Sequence, residues 1–184
     1  MVTEEYLLIA LLVMAGVYVI HRLQIGVREY LKLRGKMLVT CPETKNAAAV
    51  ETSSVRAAMA AVFNRKHLEL NDCSRWPERG DCPQDCLCQL DDDPESHRVW
   101  EIASRWFDRK NCVYCHKPIE KFSHVDRKPA LLSPGGNTIE WDQLPPENLP
   151  EALSGCLPVC WSCHMVETFR GQHPDLVVDR PWKH

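Results

Sequence analysis

The first pattern along the chain is a run of apolar positions that neither a helical nor a strand period interrupts: Tyr6 to Ile20 reads YLLIALLVMAGVYVI, without a charge. A helix that is apolar on every side belongs in a bilayer or a large core, and the polar remainder of this chain is too small to surround one. The strictly apolar stretch is short for a hydrocarbon layer of about 30 Å, but with Arg22 snorkelling to the headgroups the span reaches Ile25. The pattern therefore predicts a single transmembrane helix over residues 1–25. A cleaved signal peptide would need basic residues before the apolar run and a small-residue cleavage motif after it; here Glu4 and Glu5 precede it and no A-x-A follows.

Beyond the span, IGVREYLKLRGK sets Ile25, Leu31 and Leu33 among basic residues, which predicts a juxtamembrane stalk over 26–36, lying along anionic headgroups or simply solvated. Arg22, Arg28, Lys32, Arg34 and Lys36 all follow the apolar run. Basic residues are retained on the cytoplasmic side, so the expected arrangement is single-pass in an inner or plasma membrane, with the N-terminus outside and the body cytoplasmic.

In the body, MLVTCPETKNAAAVE reads as a short strand, a Cys-Pro turn and a second apolar stretch, and Leu68 to Cys73 reads as another strand before the turn-rich SRWPERGDCPQDC. A helix is predicted from Asp93 as cap, with Pro94 at its first position, through Val99, Ile102, Ala103 and Trp106 to about Asn111. Asp91, Asp92 and Asp93 read as a capped linker rather than a cation site. A turn at Ser133-Pro134-Gly135-Gly136-Asn137 precedes a predicted strand, TIEWDQL. The proline-rich PPENLPEALSGCLP then leads to VCWSCHMVETFR, helical from about Ser162. The expected fold class is α+β, with a cysteine-rich subdomain over 37–92 and a helix-plus-zinc subdomain over 93–184.

Charge narrows the partners. The first 36 residues take five of the 22 Lys and Arg but only three of the 25 Asp and Glu, so the body is acidic and shows no basic stripe to replace counterions on phosphates. Nucleic acid is disfavoured, and the expected partners are the membrane and another protein. Of the tryptophans, Trp76, Trp100, Trp106, Trp141 and Trp161 are expected in cores or over a site, and Trp182 in the DRPWKH tail is the one expected to be free for a partner. No G-x-S-x-G, P-loop, G-x-G-x-x-G or H-E-x-x-H motif occurs, and no small-molecule substrate is indicated.

Composition supplies the chemistry: ten of the 184 residues are cysteine. In a cytoplasmic body disulfides are the weaker explanation for them, and metal is the stronger. Cys112, Cys115, Cys160 and Cys163 form C-x2-C-x44-C-x2-C, in which each two-residue spacer lets both thiolates face one tetrahedral ion. A second quartet, Cys41, Cys73, Cys82 and Cys86, has a looser spacing; Cys88 stands as a substitute ligand, and Cys88 and Cys156 are otherwise spare. The expected cofactor is zinc, as one or two ions, with buried reduced thiols or an iron–sulfur cluster as the other outcomes for the second quartet.

Two further chemistries compete. Cys112-Val113-Tyr114-Cys115-His116 and Cys160-Trp161-Ser162-Cys163-His164 both satisfy C-x-x-C-H, the attachment sequence of c-type haem, with His97, His124, His173 or His184 as distal ligands. A membrane-anchored dihaem cytochrome in electron transfer is thus an alternative, opposed by the cytoplasmic orientation. The segment from Asn111 to about Gly171, with a knuckle, a predicted hairpin, a second cysteine pair and a helix, resembles the treble-clef zinc fold, which implies ligands at the start of the last helix. Through Gly135-Gly136-Asn137 and LPVCWSCH it also resembles HNH endonucleases, which would imply a nuclease using His124 and Asp126, with His116 as a weaker candidate; the family's Asp/Glu-His pair is missing. The whole chain resembles uncharacterised membrane-anchored, cysteine-rich bacterial proteins. The function expected from these features is a non-enzymatic accessory or adaptor protein that presents a zinc-stabilised surface at the membrane.

Overall fold

The computed structural model describes residues 2–78, 81–91, 93–120 and 127–176. Asp92, His124, Asp126, Trp182 and His184, each singled out above, lie outside the described residues. The chain is a mixed helix and sheet protein that divides into two compact units, Met1–Arg98 and Val99–His184.

The N-terminal unit starts with one long helix, α1 (Val2–Leu33), which runs without a break through the predicted span and stalk. Tyr6–Leu33 is long and apolar enough to cross a membrane, a test that a signal sequence also passes, and its apolar window is not buried against any other part of the chain. Past Arg22 the same helix becomes a packing surface. Strands β1 (Lys36–Thr40) and β2 (Ala47–Thr52) form a hairpin, α2 (Ser54–Val62) follows, and β3 (Leu70–Cys73) completes an antiparallel sheet in the order β1-β2-β3. Helix α2 runs back along α1. The Arg22 guanidinium donates to Val62 O at 2.7 Å and to Ala61 O at 3.0 Å, the second of which also accepts from Asn64 N, so a cation caps the carbonyl end of α2. Gly26 permits the contact, because a Cβ there would stand 2.6 Å from Val62 Cγ2 and 3.2 Å from the Ala58 carbonyl oxygen. Thr52 Oγ1 donates to Leu33 O, fixing the other end of the hairpin.

The core of this unit gathers Leu33, Met37, Val39, Ala48, Val50, Ala57, Leu70 and Leu90, with Cys73 and Cys86 among them. The helix predicted from Asp93 forms in two pieces. Asp93 does cap a turn, accepting from Ser96 N, but the turn is a 3-10 helix over Pro94–His97. Arg98 is extended and bridges Met37 antiparallel, while His97 Nδ1 donates to Leu38 O. Pairing with the sheet draws the backbone out just where the side-chain pattern would have continued the helix.

In the C-terminal unit α3 (Val99–Phe107) buries Ala103 and Phe107. Strands β4 (Ala130–Leu132), β5 (Thr138–Glu140) and β6 (Leu157–Val159) form a second antiparallel sheet in the order β5-β4-β6. The turn at residues 133–137 forms as the sequence indicates, with Ser133 O accepting from Gly136 N and Gly136 at φ +83°. The predicted strand TIEWDQL is shorter than its pattern. After Glu140 it bends into a 3-10 turn over Trp141–Gln143, which buries Trp141 against Trp100 in an edge contact. The proline-rich connector holds a short helix, α4 (Leu149–Gly155), anchored by buried Leu149 and Leu153, and α5 (Trp161–Gln172) follows β6 directly.

Candidate metal centre

The knuckle and the last helix each deliver two thiols to one point. At the knuckle, Asn111 and Pro118 bridge antiparallel; Cys112 N donates to Lys117 O and His116 N to Cys112 O, both at 2.9 Å. The turn closes because His116 adopts φ +57°, the left-handed conformation usually left to glycine. Val113 N donates to Pro158 O, which ties the knuckle to β6, the strand that leads into the second pair. Cys160 is then the N-cap of α5, with extended backbone, and Cys163 lies in the helix's first turn.

The four sulfurs of Cys112, Cys115, Cys160 and Cys163 all lie within 4.8 Å of one another, and Cys115 Sγ and Cys160 Sγ are 3.8 Å apart. Four thiolates about 2.3 Å from a central ion in a tetrahedron are themselves about 3.8 Å apart, whereas a disulfide requires about 2.05 Å. The spacing fits a tetrahedral ion and excludes bonded pairs. Cys112 is completely buried, and Ala130 and Val159 pack beside it, so the sheet forms a dry wall behind the site.

The electrostatics tell the same story. Burial opposes ionisation of Cys112, but backbone amides of Cys115, Cys160 and Tyr114 outweigh it and bring the thiol down to about 7. Cys160 and Cys163 go the other way: burial comes first for both, and hydrogen bonding with the neighbouring thiols raises Cys163 strongly. Four thiols this close oppose one another's ionisation, which is why Cys163 is raised while Cys112 is lowered. A divalent cation at their centre would reverse the balance, and four soft sulfur donors are a set that could hold a metal ion such as zinc.

The histidines that follow each pair take different places. His116 is exposed at the turn. His164 is buried, with Nδ1 2.9 Å from Thr138 Oγ1 and Nε2 3.8 Å from Glu140 Oε1, so its ring joins α5 to β5. Thr138 and Glu140 were not legible as partners of that histidine, since nothing in TIEWDQL distinguishes them from ordinary strand residues. His97 is held on Leu38 O in the N-terminal unit, and His173 lies beside Phe169 past the end of α5.

Cys41, Cys73, Cys82 and Cys86 line one cavity of about 390 Å³ in the N-terminal unit. Among the described residues only the C-terminal quartet is drawn together to within 4.8 Å. Cys88 is exposed, its thiol on Asp85 O, and does not line that cavity; Cys156 is half-buried at the end of α4. Compared with known proteins, the chain matches no family model, no curated protein and no solved structure.

Proposed function

We propose that this chain is a membrane-anchored zinc-binding accessory or adaptor protein whose body presents a metal-stabilised surface at the cytoplasmic face. The observation that carries the metal is the gathering of Cys112, Cys115, Cys160 and Cys163 to within 4.8 Å of one another. A site with four protein thiolates has no open position for substrate or water, so its role is structural rather than catalytic. The knuckle, three-stranded sheet and helix that carry the ligands are similar in arrangement to a treble clef. Convergence also favours one ion over two haems, because each c-type haem needs a C-x-x-C-H of its own, and the His164 ring is already engaged by Thr138.

The anchor is supported by α1, which keeps Tyr6 to Ile20 exposed and becomes a packing helix only from Arg22 onward. At that boundary α2 ends beside Arg22, bringing Phe63, 69% exposed, to the level where the apolar run stops. The orientation rests on the basic residues that follow the span. A protein partner is supported by α5, whose Trp161, Met165, Val166 and Phe169 are exposed apolar residues on a helix that otherwise carries the metal ligands.

The visible spectrum and elemental analysis of the purified chain test the metal. A colourless protein with bound zinc supports the proposal. A Soret band would replace it with electron transfer through haem, and broad charge-transfer absorbance with an iron–sulfur carrier. Metal-dependent DNA nicking would replace it with the nuclease. For topology, a protease unable to cross the membrane is expected to spare the body in intact cells, and digestion there would reverse the orientation.

A further inference from the structure

The N-terminal unit contains a second copy of the knuckle backbone. Cys41 N donates to Asn46 O at 2.9 Å and Lys45 N donates to Cys41 O at 2.8 Å. These are the same two bonds, at the same offsets, that close the turn at Cys112, where Cys112 N donates to Lys117 O and His116 N to Cys112 O. The left-handed residue falls at the same place: Lys45 has φ +59° and His116 φ +57°. The amides that serve the thiol correspond too. Those of Glu43 and Thr44 point at Cys41, and those of Tyr114 and Cys115 at Cys112, two and three residues on in each case. Beyond the leading cysteine, Cys41-Pro42-Glu43-Thr44-Lys45 shares no residue with Cys112-Val113-Tyr114-Cys115-His116, so the shared backbone geometry centres on the thiol itself. Backbone amides converging on a thiolate are what a metal knuckle supplies.

One difference is informative. Thr44 stands where Cys115 stands in the other knuckle, so this turn offers one thiol and the remaining ligands must come from elsewhere. Three cysteines face the same cavity: Cys73 at the end of β3, Cys82 in the irregular chain that follows, and Cys86 in the 3-10 turn over Asp85–Leu90. Two of them, Cys73 and Cys86, are buried. Cys88, close in sequence, is exposed and bonded to Asp85 O instead. We infer that Cys41, Cys73, Cys82 and Cys86 form a second tetrathiolate site for a zinc-like divalent ion, closing around it as it binds.

The four cysteines line the cavity but are not gathered to within 4.8 Å of one another as the C-terminal four are, which sets the expectation that binding and closure are one event. The inference is independent of the reading given to Cys112, Cys115, Cys160 and Cys163, and the test keeps the two apart. Zinc per chain is measured by elemental analysis on the full-length protein in detergent, as wild type, as Cys112→Ser/Cys115→Ser and as Cys41→Ser/Cys86→Ser. Each double variant is expected to lose half of the zinc of the wild type and keep the other half. If the wild-type zinc vanishes entirely in Cys112→Ser/Cys115→Ser and is undiminished in Cys41→Ser/Cys86→Ser, the second site does not exist. The converse pattern would remove the C-terminal site and leave this one standing. Because the variants can misfold, alkylation of the wild type followed by peptide mass mapping supplies a second readout. Cys41, Cys73, Cys82 and Cys86 should become reactive only after a chelator is added, while exposed Cys88 reacts in either condition. Equal reactivity of the four with and without chelator would overturn the site.

Discussion

His116 separates the zinc and haem chemistries by a change in stability. As a haem ligand it would be indispensable. In the structure it is an exposed residue held at φ +57° to close the Cys112 knuckle. A residue with a Cβ costs about 1–2 kcal/mol in the left-handed region. Replacing it by glycine removes that strain but returns up to about 1 kcal/mol through the greater freedom of the unfolded chain. His116→Gly is therefore expected to stabilise the C-terminal unit by about 0.5–1 kcal/mol, a rise in melting temperature of roughly 2–8 °C for a unit of this size. The assay pairs thermal unfolding in detergent with metal content, which should be unchanged. Loss of metal together with a fall in melting temperature would refute the placing of His116 outside the ligand set.

Four other outcomes follow from the packing and charge. His164→Ala removes a buried ring and its bond to Thr138, and is expected to cost the C-terminal unit about 1–3 kcal/mol in denaturant titrations while zinc content stays at the wild-type value. Gly26→Val drives a side chain into Val62 and the Ala58 carbonyl, so the N-terminal unit should lose about 1–3 kcal/mol, read as earlier proteolysis of residues 36–98. In the metal-free chain the Cys112 thiol, near 7 when folded against an ordinary 9.0, adds stability that is complete above the unfolded value and lost as pH falls through about 7. Protons also compete for every ligand, so zinc release on acidification, followed with a chelating dye, should be steep rather than gradual.

Some of the protein was readable from order and spacing alone. An unbroken apolar run needs no tertiary partner to become a helix, because a helix satisfies its own backbone hydrogen bonds within the segment, as hydrocarbon surroundings require. A two-residue spacer between cysteines sets both thiols on one side of a turn by local geometry, and the turn at 133–137 and the helix after Cys160 are equally local. The joining of Cys112–Cys115 to Cys160–Cys163 is a different matter. They are separated by a spacer of 44 residues in the sequence. What brings them together is the pairing of β4 with β6 and the bond from Val113 N to Pro158 O, which depend on contacts that no short window contains.

The same division explains the rest. The capping residues around Asp93 were legible, yet the pairing of Arg98 with Met37 split the helix they predicted, because a strand partner distant in sequence outweighed local periodicity. The packing of α2 on α1 turned on the single missing Cβ of Gly26, which in the sequence is one glycine among eight. The likeness of the Cys41 turn to the Cys112 turn was invisible until backbone bonds and dihedrals were compared, since Thr44 in place of a second cysteine hides the motif. Sequence determined which residues can ligate and which segment is apolar, both being properties of side chains taken singly. Only the tertiary structure decided which thiols meet, because meeting costs the loop entropy between them, and the β5-β4-β6 pairing of the same unit is what offsets it.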